Sequence, residues 1–445
     1  MNNQHTRPSK RTFYWLWSTQ SLSLLGTGMT RFAVLIWAYD LAGTASAIAL
    51  LGFFSCITYV ITSPISGVLV DRWDRRKVLI ASDFSSGLMT AALLALLLTG
   101  RLELWHLYLM EGLTGIFEAF QDPAFYASVS LLVPREEYTR SNGLLGLGRS
   151  ATRVLAPAAA GLVQQAAGLG AVMMVDIATM SIALAVTTLI IRIPSPPASE
   201  QGQLAAGSFW KEMRFGLGYI LRSPGLRTML LTFFLINLFA TLTYFAVHSP
   251  MILARTGGDE VALGIVRSMM GAGGIAGGLL LTLRSSFRRK ARVYLTAAAA
   301  SFLVGDFMTA ISRTTAGWAA AGFLSELAIP FIVSPYFALW QEWVPPDVQG
   351  RVFSSRDMVQ VAAQPVGYLM GGLLADRLFE PAMAAGGTLA GPLGWLVGTG
   401  PGSGMAVMFL CTSLLGLLTG IYGLLSPALR RMDQETPPFY QTAAA

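Results

Sequence analysis

Charge is scarce in this chain: 12% of its residues are Asp, Glu, Lys or Arg, about half the share of a soluble globular protein. That shortfall excludes a water-exposed surface over most of its length. Cysteine is nearly missing. Cys56 and Cys411 are the only two, and both lie inside apolar runs, which speaks against a disulfide framework and a metal site. The three histidines, His5, His106 and His248, stand far apart, so the His cluster of an integral-membrane enzyme is lacking. No G-x-x-x-x-G-K-[ST] loop occurs, which argues against a built-in ATPase. Strand-like alternation is absent as well, and with it the signature of a membrane β-barrel.

What is there is apolar. Hydrophobic residues make up 53% of the chain, with a mean hydropathy of +0.56. They fall in blocks of roughly 20 to 28 residues, each long enough to cross about 30 Å of hydrocarbon as helix. About twelve spans are expected, near residues 13–39, 45–70, 78–99, 104–133, 141–167, 170–192, 226–252, 261–284, 292–312, 317–343, 352–376 and 403–427. The first run, Phe13 to Tyr39, is too long for a signal-peptide core and is followed by further spans, so it is expected to be retained.

The net charge of +7 does not indicate nucleic acid, because the basic residues are sorted by loop. Of 31 Lys and Arg, about 22 lie in the N-terminus, the even-numbered connections and the C-terminus, and about four (Arg101, Arg255, Arg313, Arg377) in the odd-numbered ones. This asymmetry predicts that both termini are cytoplasmic.

Residues 194–225 interrupt the membrane pattern. A polar stretch with Pro194, Pro196 and Pro197 precedes Phe209, Trp210, Phe215, Tyr219 and Ile220 interleaved with Lys211, Arg214 and Arg222, as expected of an amphipathic surface helix. The chain therefore divides into a bundle of residues 1–193, a linker 194–225, a second bundle 226–429 and a tail 430–445. The bundles read as repeats. Gly67, Leu69 and Val133-Pro134 recur 211 positions on as Gly278, Leu280 and Val344-Pro345.

Between the second and third spans the chain reads Gly67-Val-Leu-Val-Asp71-Arg72-Trp-Asp74-Arg75-Arg76-Lys77. This resembles the signature loop of the major facilitator superfamily, with Asp74 where that family usually has glycine. The fifth span carries Ala156-Pro157-Ala158-Ala159-Ala160-Gly161, similar to the superfamily's exporter motif. The first two spans, the entry Trp105-His106-Leu107-Tyr108 and the long glycine-rich segment after the eleventh span resemble the macrolide-efflux-like branch. The resemblance implies an all-α membrane protein of two pseudo-symmetric six-helix bundles, with a cavity lined by spans 1, 4, 7 and 10. It also implies alternating access in a bacterial plasma membrane and no cofactor beyond a proton gradient. The expected partners are membrane lipids and a small-molecule substrate, with the chain acting as a monomer.

Charges inside spans are functional candidates, since each is costly unless paired or wet. Glu111, Glu118 and Asp122 in the fourth span are spaced to share one helical face, with Gly115 beside them. At 1.5 Å per residue, Glu118 lies near mid-membrane, with Arg31 about 7 Å and Glu111 about 11 Å towards the outside. Arg31 is thus expected to pair with Glu118 or Glu111, and Asp122 with Arg149 or Arg153. Static neutralising pairs are the alternative. Glu326 is the best buried acid of the second half, and Asp176, Asp306 and Arg267 are further candidates. Asp71 is expected at the start of the eleventh helix as part of a cytoplasmic gate with Gly67, Arg72, Arg75, Arg76 and Asp357. The expected function is proton-coupled efflux of amphiphilic small molecules, drug-like, macrolide-like or siderophore-like. A metabolite uniporter or importer, or a transporter-like lipid flippase or sensor, is the alternative.

Overall fold

The structure, a computed structural model, describes residues 10–42, 45–194, 209–283 and 287–435. The linker residues 195–208 and the tail beyond 435 lie outside these. Among the described residues every regular element is helical. The chain begins with α1 Lys10–Ala42, α2 Ala45–Arg72, α3 Arg75–Leu98, α4 Leu104–Leu132 and α5 Tyr138–Leu189, followed by α6 Phe209–Arg222. Next come α7 Pro224–Ala240, a π turn Thr241–Phe245, α8 His248–Thr256, α9 Glu260–Thr282, α10 Lys290–Ala300, a second π turn Ser301–Asp306 and α11 Phe307–Ile311. The remainder is α12 Thr315–Trp343, α13 Gln349–Leu374, a third π turn Ala375–Phe379, short helices α14 Glu380–Met383 and α15 Ala390–Val397, then α16 Ser403–Leu425 and α17 Pro427–Gln434.

Ten helices among the described residues are long and apolar enough to cross a membrane. The 29-residue α4, which carries Glu111, Glu118 and Asp122, is not among them. The fifth and sixth runs expected from sequence are both helical within α5 and are separated where expected, at Gly168 with φ 79° and ψ 175°. Glycine enters this positive-φ region at little cost. The turn between α2 and α3 accommodates Asp74 without strain. Asp74 has φ −63° and caps α3 by accepting the Arg76 N–H at 2.9 Å, so no positive φ calls for glycine here.

The chain forms two compact units. The first holds residues up to Ile220 together with Trp340–Met358; the second holds Leu221–Leu339 and the chain from Val359. The ends of α12 and α13, drawn from sequence into the second bundle, thus cluster with the first. Within the first unit α1 lies along α5 and α2 along α4. Small residues set these approaches, as expected where backbones must meet closely. A Cβ on Gly28 would fall 3.1 Å from the Ala156 Cβ, and one on Gly115 would fall 2.1 Å from the Ser55 carbonyl oxygen. Met29, Val34, Leu107, Ala160, Val172 and Met173 fill the core between them. In the second unit α16 is central, and a Cβ on Gly416 or Gly420 would strike Phe302 or Ala299.

Candidate functional site

The first constellation joins α1 to α4. The Arg31 guanidinium Nη2 lies 2.9 Å from Glu118 Oε1 and 3.4 Å from Glu111 Oε2. Two acids share one arginine, so its single positive charge can match only one carboxylate. The Arg31 and Glu118 side chains are 35% and 38% uncovered, against 11% for Glu111. Glu118 is therefore the member open to exchange with an outside group. Chemically, the trio can hold a proton or a cationic group on one carboxylate while the arginine stays paired through the other.

One turn on, α4 presents Asp122 to α5. Arg149 Nη2 donates to Asp122 Oδ1 at 3.1 Å, and the same guanidinium lies 5.6 Å from the centroid of the Tyr126 ring. Arg153 is exposed and joins neither pair. Glu326 lies on α12 in the second unit, half-buried. Asp176 is buried and accepts hydrogen bonds from Thr27 at 3.1 Å and Thr90 at 3.0 Å, so its charge is met by hydroxyl groups. Arg267 is exposed and donates to Ser249 Oγ at 2.6 Å.

An acid overlooked in the sequence is Asp83 on α3. It is 3% exposed and accepts from Gln20 at 2.7 Å and Gln121 at 2.8 Å. The rule that flags every charge inside a span would have found it. A second overlooked group is His248, fully buried in the second unit with its ring 5.4 Å from that of Tyr244. Neither of its ring nitrogens has a hydrogen-bond partner among the described residues. The π turn Thr241–Phe245 carries Tyr244. The π turn Ser301–Asp306 ends in buried Asp306, whose Oδ2 accepts from Thr412 at 2.6 Å. Such widened turns are frequent where helices carry polar function.

The second constellation is a seat for residues 340–358 within the first unit. Asp71 Oδ1 accepts the Gly350 N–H at 2.6 Å and Oδ2 the Arg351 N–H at 2.9 Å, at the start of α13. A carboxylate meeting the unpaired N–H groups and positive dipole end of a helix is favourable on both counts. Gly67 makes the approach possible, since a Cβ there would fall 2.8 Å from the Gly350 carbonyl oxygen. Arg75 is buried, lies 3.9 Å from Asp71, and donates to the carbonyls of Ala127 and Pro346. Arg76 instead ties α3 to the end of α5 through the Thr187 and Thr188 carbonyls, while Arg72 is exposed. Asp357 accepts from its neighbour Arg356 at 2.7 Å. Further contacts come from residues with no sequence signature. Ser63 donates to the Ser354 carbonyl at 2.8 Å, and Asn142 donates to Gln341 at 2.7 Å. From α6, Gly216 lies against the Arg351 carbonyl.

In the exporter-like motif, Ala156 is buried against α1, whereas a Cβ on Gly161 would meet nothing within 4 Å. Two aromatics of α12 are packing groups. Tyr336 is fully buried, stacked on Phe233 at 3.9 Å, and Trp340 is fully buried with Arg356 5.5 Å from its ring centroid. Among the described residues no three His, Cys, Asp or Glu side chains converge as metal ligands.

Known proteins resemble this chain along most of its length. It is 28% identical over 378 residues to macrolide efflux protein A of Streptococcus pyogenes, covering 83% of this chain and 90% of that protein. The multidrug efflux pump Tap of Mycolicibacterium fortuitum is 23% identical over 426 residues, covering 93% and 95%. Among solved structures, a bacterial homologue of the iron transporter ferroportin in an outward-facing state superposes with a TM-score of 0.68. It is 17% identical and covers 93% of this chain and 100% of that one; at that identity the likeness is one of fold. Residues 16–368 match the Major Facilitator Superfamily, and with that match added to the helices, the signature turn and the macrolide-efflux relatives, the chain belongs to this superfamily of membrane transporters.

Proposed function

We propose that the protein is a secondary-active exporter of amphiphilic small molecules, macrolide-like or otherwise drug-like, that exchanges its substrate against protons. The observation that carries this reading is the Arg31 guanidinium held between Glu118 and Glu111 on α1 and α4. A state that draws Arg31 away leaves Glu118 to take a proton, and a state that restores the pair expels it. A cationic or polar substrate competes for the same carboxylate. The seat at Asp71 closes the cytoplasmic side in one of the two states. The reading includes twelve crossings, cytoplasmic termini, a bacterial plasma membrane and a monomer that needs no cofactor beyond the proton gradient.

The test is transport in proteoliposomes under an imposed pH gradient, with erythromycin and ethidium as probes. Wild-type protein is expected to accumulate at least one of them against its gradient. Glu118→Gln should abolish accumulation while downhill exchange continues. Uphill pumping by Glu118→Gln at the wild-type rate, with the same pH dependence, overturns the scheme.

A further inference from the structure

At one end of the second unit, where α10 begins and α16 ends, a cleft of about 340 Å³ opens. Arg289, Arg292 and Arg430 line it, above a floor formed by Leu295, Leu424 and Leu429. The single acid on its wall is Asp433, so the lining carries two net positive charges. Asp433 is already committed. Its Oδ1 accepts the Ala291 N–H at 2.8 Å and its Oδ2 the Arg292 N–H at 2.9 Å, capping the first turn of α10.

The corresponding junction of the first unit shows what such arginines otherwise do. There Arg76, at the start of α3, donates to the carbonyls of Thr187 and Thr188 that end α5. In the second unit that task falls to Arg430, whose Nε donates to the Leu424 carbonyl at 2.9 Å from the following helix. Arg289 and Arg292 are thereby released from it. Both are exposed, and among the described residues neither side chain makes a hydrogen bond. Guanidinium groups suit phosphoryl oxygens in charge and in forked geometry. Basic clefts between spanning helices at a membrane face are where phosphate headgroups bind, with the glycerol and acyl portion on the apolar wall.

We propose that this cleft binds a phosphate monoanion or diester, supplied by the headgroup of an anionic phospholipid. Arg289 and Arg292 grip the phosphoryl oxygens, Arg430 completes the positive wall, and Leu295, Leu424 and Leu429 meet the first carbons of the lipid. A bound lipid bridges α10 to α16 and α17, and so stiffens the end of the second unit.

The test titrates purified full-length protein in neutral detergent with short-chain phosphatidylglycerol, short-chain phosphatidylcholine and inorganic phosphate, reading thermal stabilisation and native mass. Phosphatidylglycerol is expected to bind best. Arg289→Gln with Arg292→Gln should weaken it roughly thirtyfold, from about fivefold per arginine near an anionic headgroup. Arg430→Gln serves as a second variant should the double variant be unstable, and Arg377→Gln as a distant control that should bind normally. Inorganic phosphate matching phosphatidylglycerol, with the same loss in the variants, supports the phosphoryl site but makes a free anion its occupant. Equal binding of phosphatidylcholine, undiminished binding in the variants, or no binding by either phosphate compound overturns the proposal.

Discussion

Asp71 and Gly350 are so close that neither leaves room for a larger partner. The Gly350 N–H reaches Asp71 Oδ1 at 2.6 Å, and a Cβ on Gly350 would lie 2.5 Å from that same oxygen. The carboxylate caps α13 only because residue 350 has no side chain. Gly350→Ala should therefore unseat Asp71 from the helix start, at a cost comparable to losing its charge there, about 0.3 to 2 kcal/mol. Ser354 is fully buried in the same seat, so a cysteine placed there reports on it. Faster alkylation of that cysteine is expected in Gly350→Ala and in Asp71→Asn. Gly161→Ala is the control, since a Cβ there meets nothing. It should leave labelling unchanged and add a few tenths of a kcal/mol or more of helix stability. Equal labelling rates in all three would show that the carboxylate does not hold the seat.

Asp74 is a sharper probe of the signature turn, because it departs from the family pattern. Its side chain caps α3 and its φ is negative, so it replaces glycine's freedom with a hydrogen bond. Asp74→Ala should cost about 1 kcal/mol and Asp74→Gly only a few tenths. Thermal melting of the two variants checks the order. A glycine variant less stable than the alanine variant would mean that backbone stiffness, not the cap, decides this turn.

How far the sequence discloses this molecule depends on whether the signal is periodic or tertiary. Apolar runs and loop charges are local, so span positions could be read within a few residues. Rise per residue put Arg31 between Glu118 and Glu111 in depth, and its guanidinium lies there. The break between the fifth and sixth runs was legible too, since Gly168 leaves helical geometry between them. Gln20 and Gln121 around Asp83 carry no charge, so nothing in their spacing announces a shared acid. The Asn142–Gln341 contact joins residues 199 positions apart, and no pattern along the chain encodes it. Tyr336 and Trp340 fill the core, and nothing local marks them, since an aromatic in an apolar run looks the same whether it lines a cavity or fills a core.

Asp433 gives the second unit a pH dependence with a definite sign. Burial pushes its carboxyl up from the usual 3.8, against the pull of the Ala291 and Arg292 N–H groups and the nearby Lys290 and Arg289 charges. The folded protein then keeps a proton where the unfolded chain has lost it. This group's contribution to stability is full below 3.8 and declines as pH rises through the higher folded value. Asp433→Asn does not titrate, so it should flatten the part of the melting-temperature profile that starts near pH 3.8 and ends at the higher folded value. A wild-type profile that rises over this range and is unchanged in Asp433→Asn would contradict the assignment.

The sharing of Arg31 by two acids predicts an unequal response to removing each member. Glu111→Gln leaves the closer pair with Glu118 at 2.9 Å intact, and Glu118→Gln leaves the pair with Glu111 at 3.4 Å. Neither should cost more than about 1 kcal/mol, the range of partly exposed ion pairs, since the arginine keeps a partner. Arg31→Gln instead strands two like charges side by side. Breaking a buried pair typically costs about 3 to 5 kcal/mol, but Arg31 and Glu118 keep about a third of their surface open, so solvent screening reduces this to about 2 kcal/mol. Adding Glu118→Gln to Arg31→Gln should restore part of the loss, and adding Glu111→Gln as well should restore most of it, because no charge is then left unpaired. Non-additivity of this sign is what coupled neighbours show. Melting temperatures of the single, double and triple variants in one detergent measure it. If the triple variant is no more stable than Arg31→Gln alone, the three charges do not act as one group, and Glu118 would have to work without the arginine.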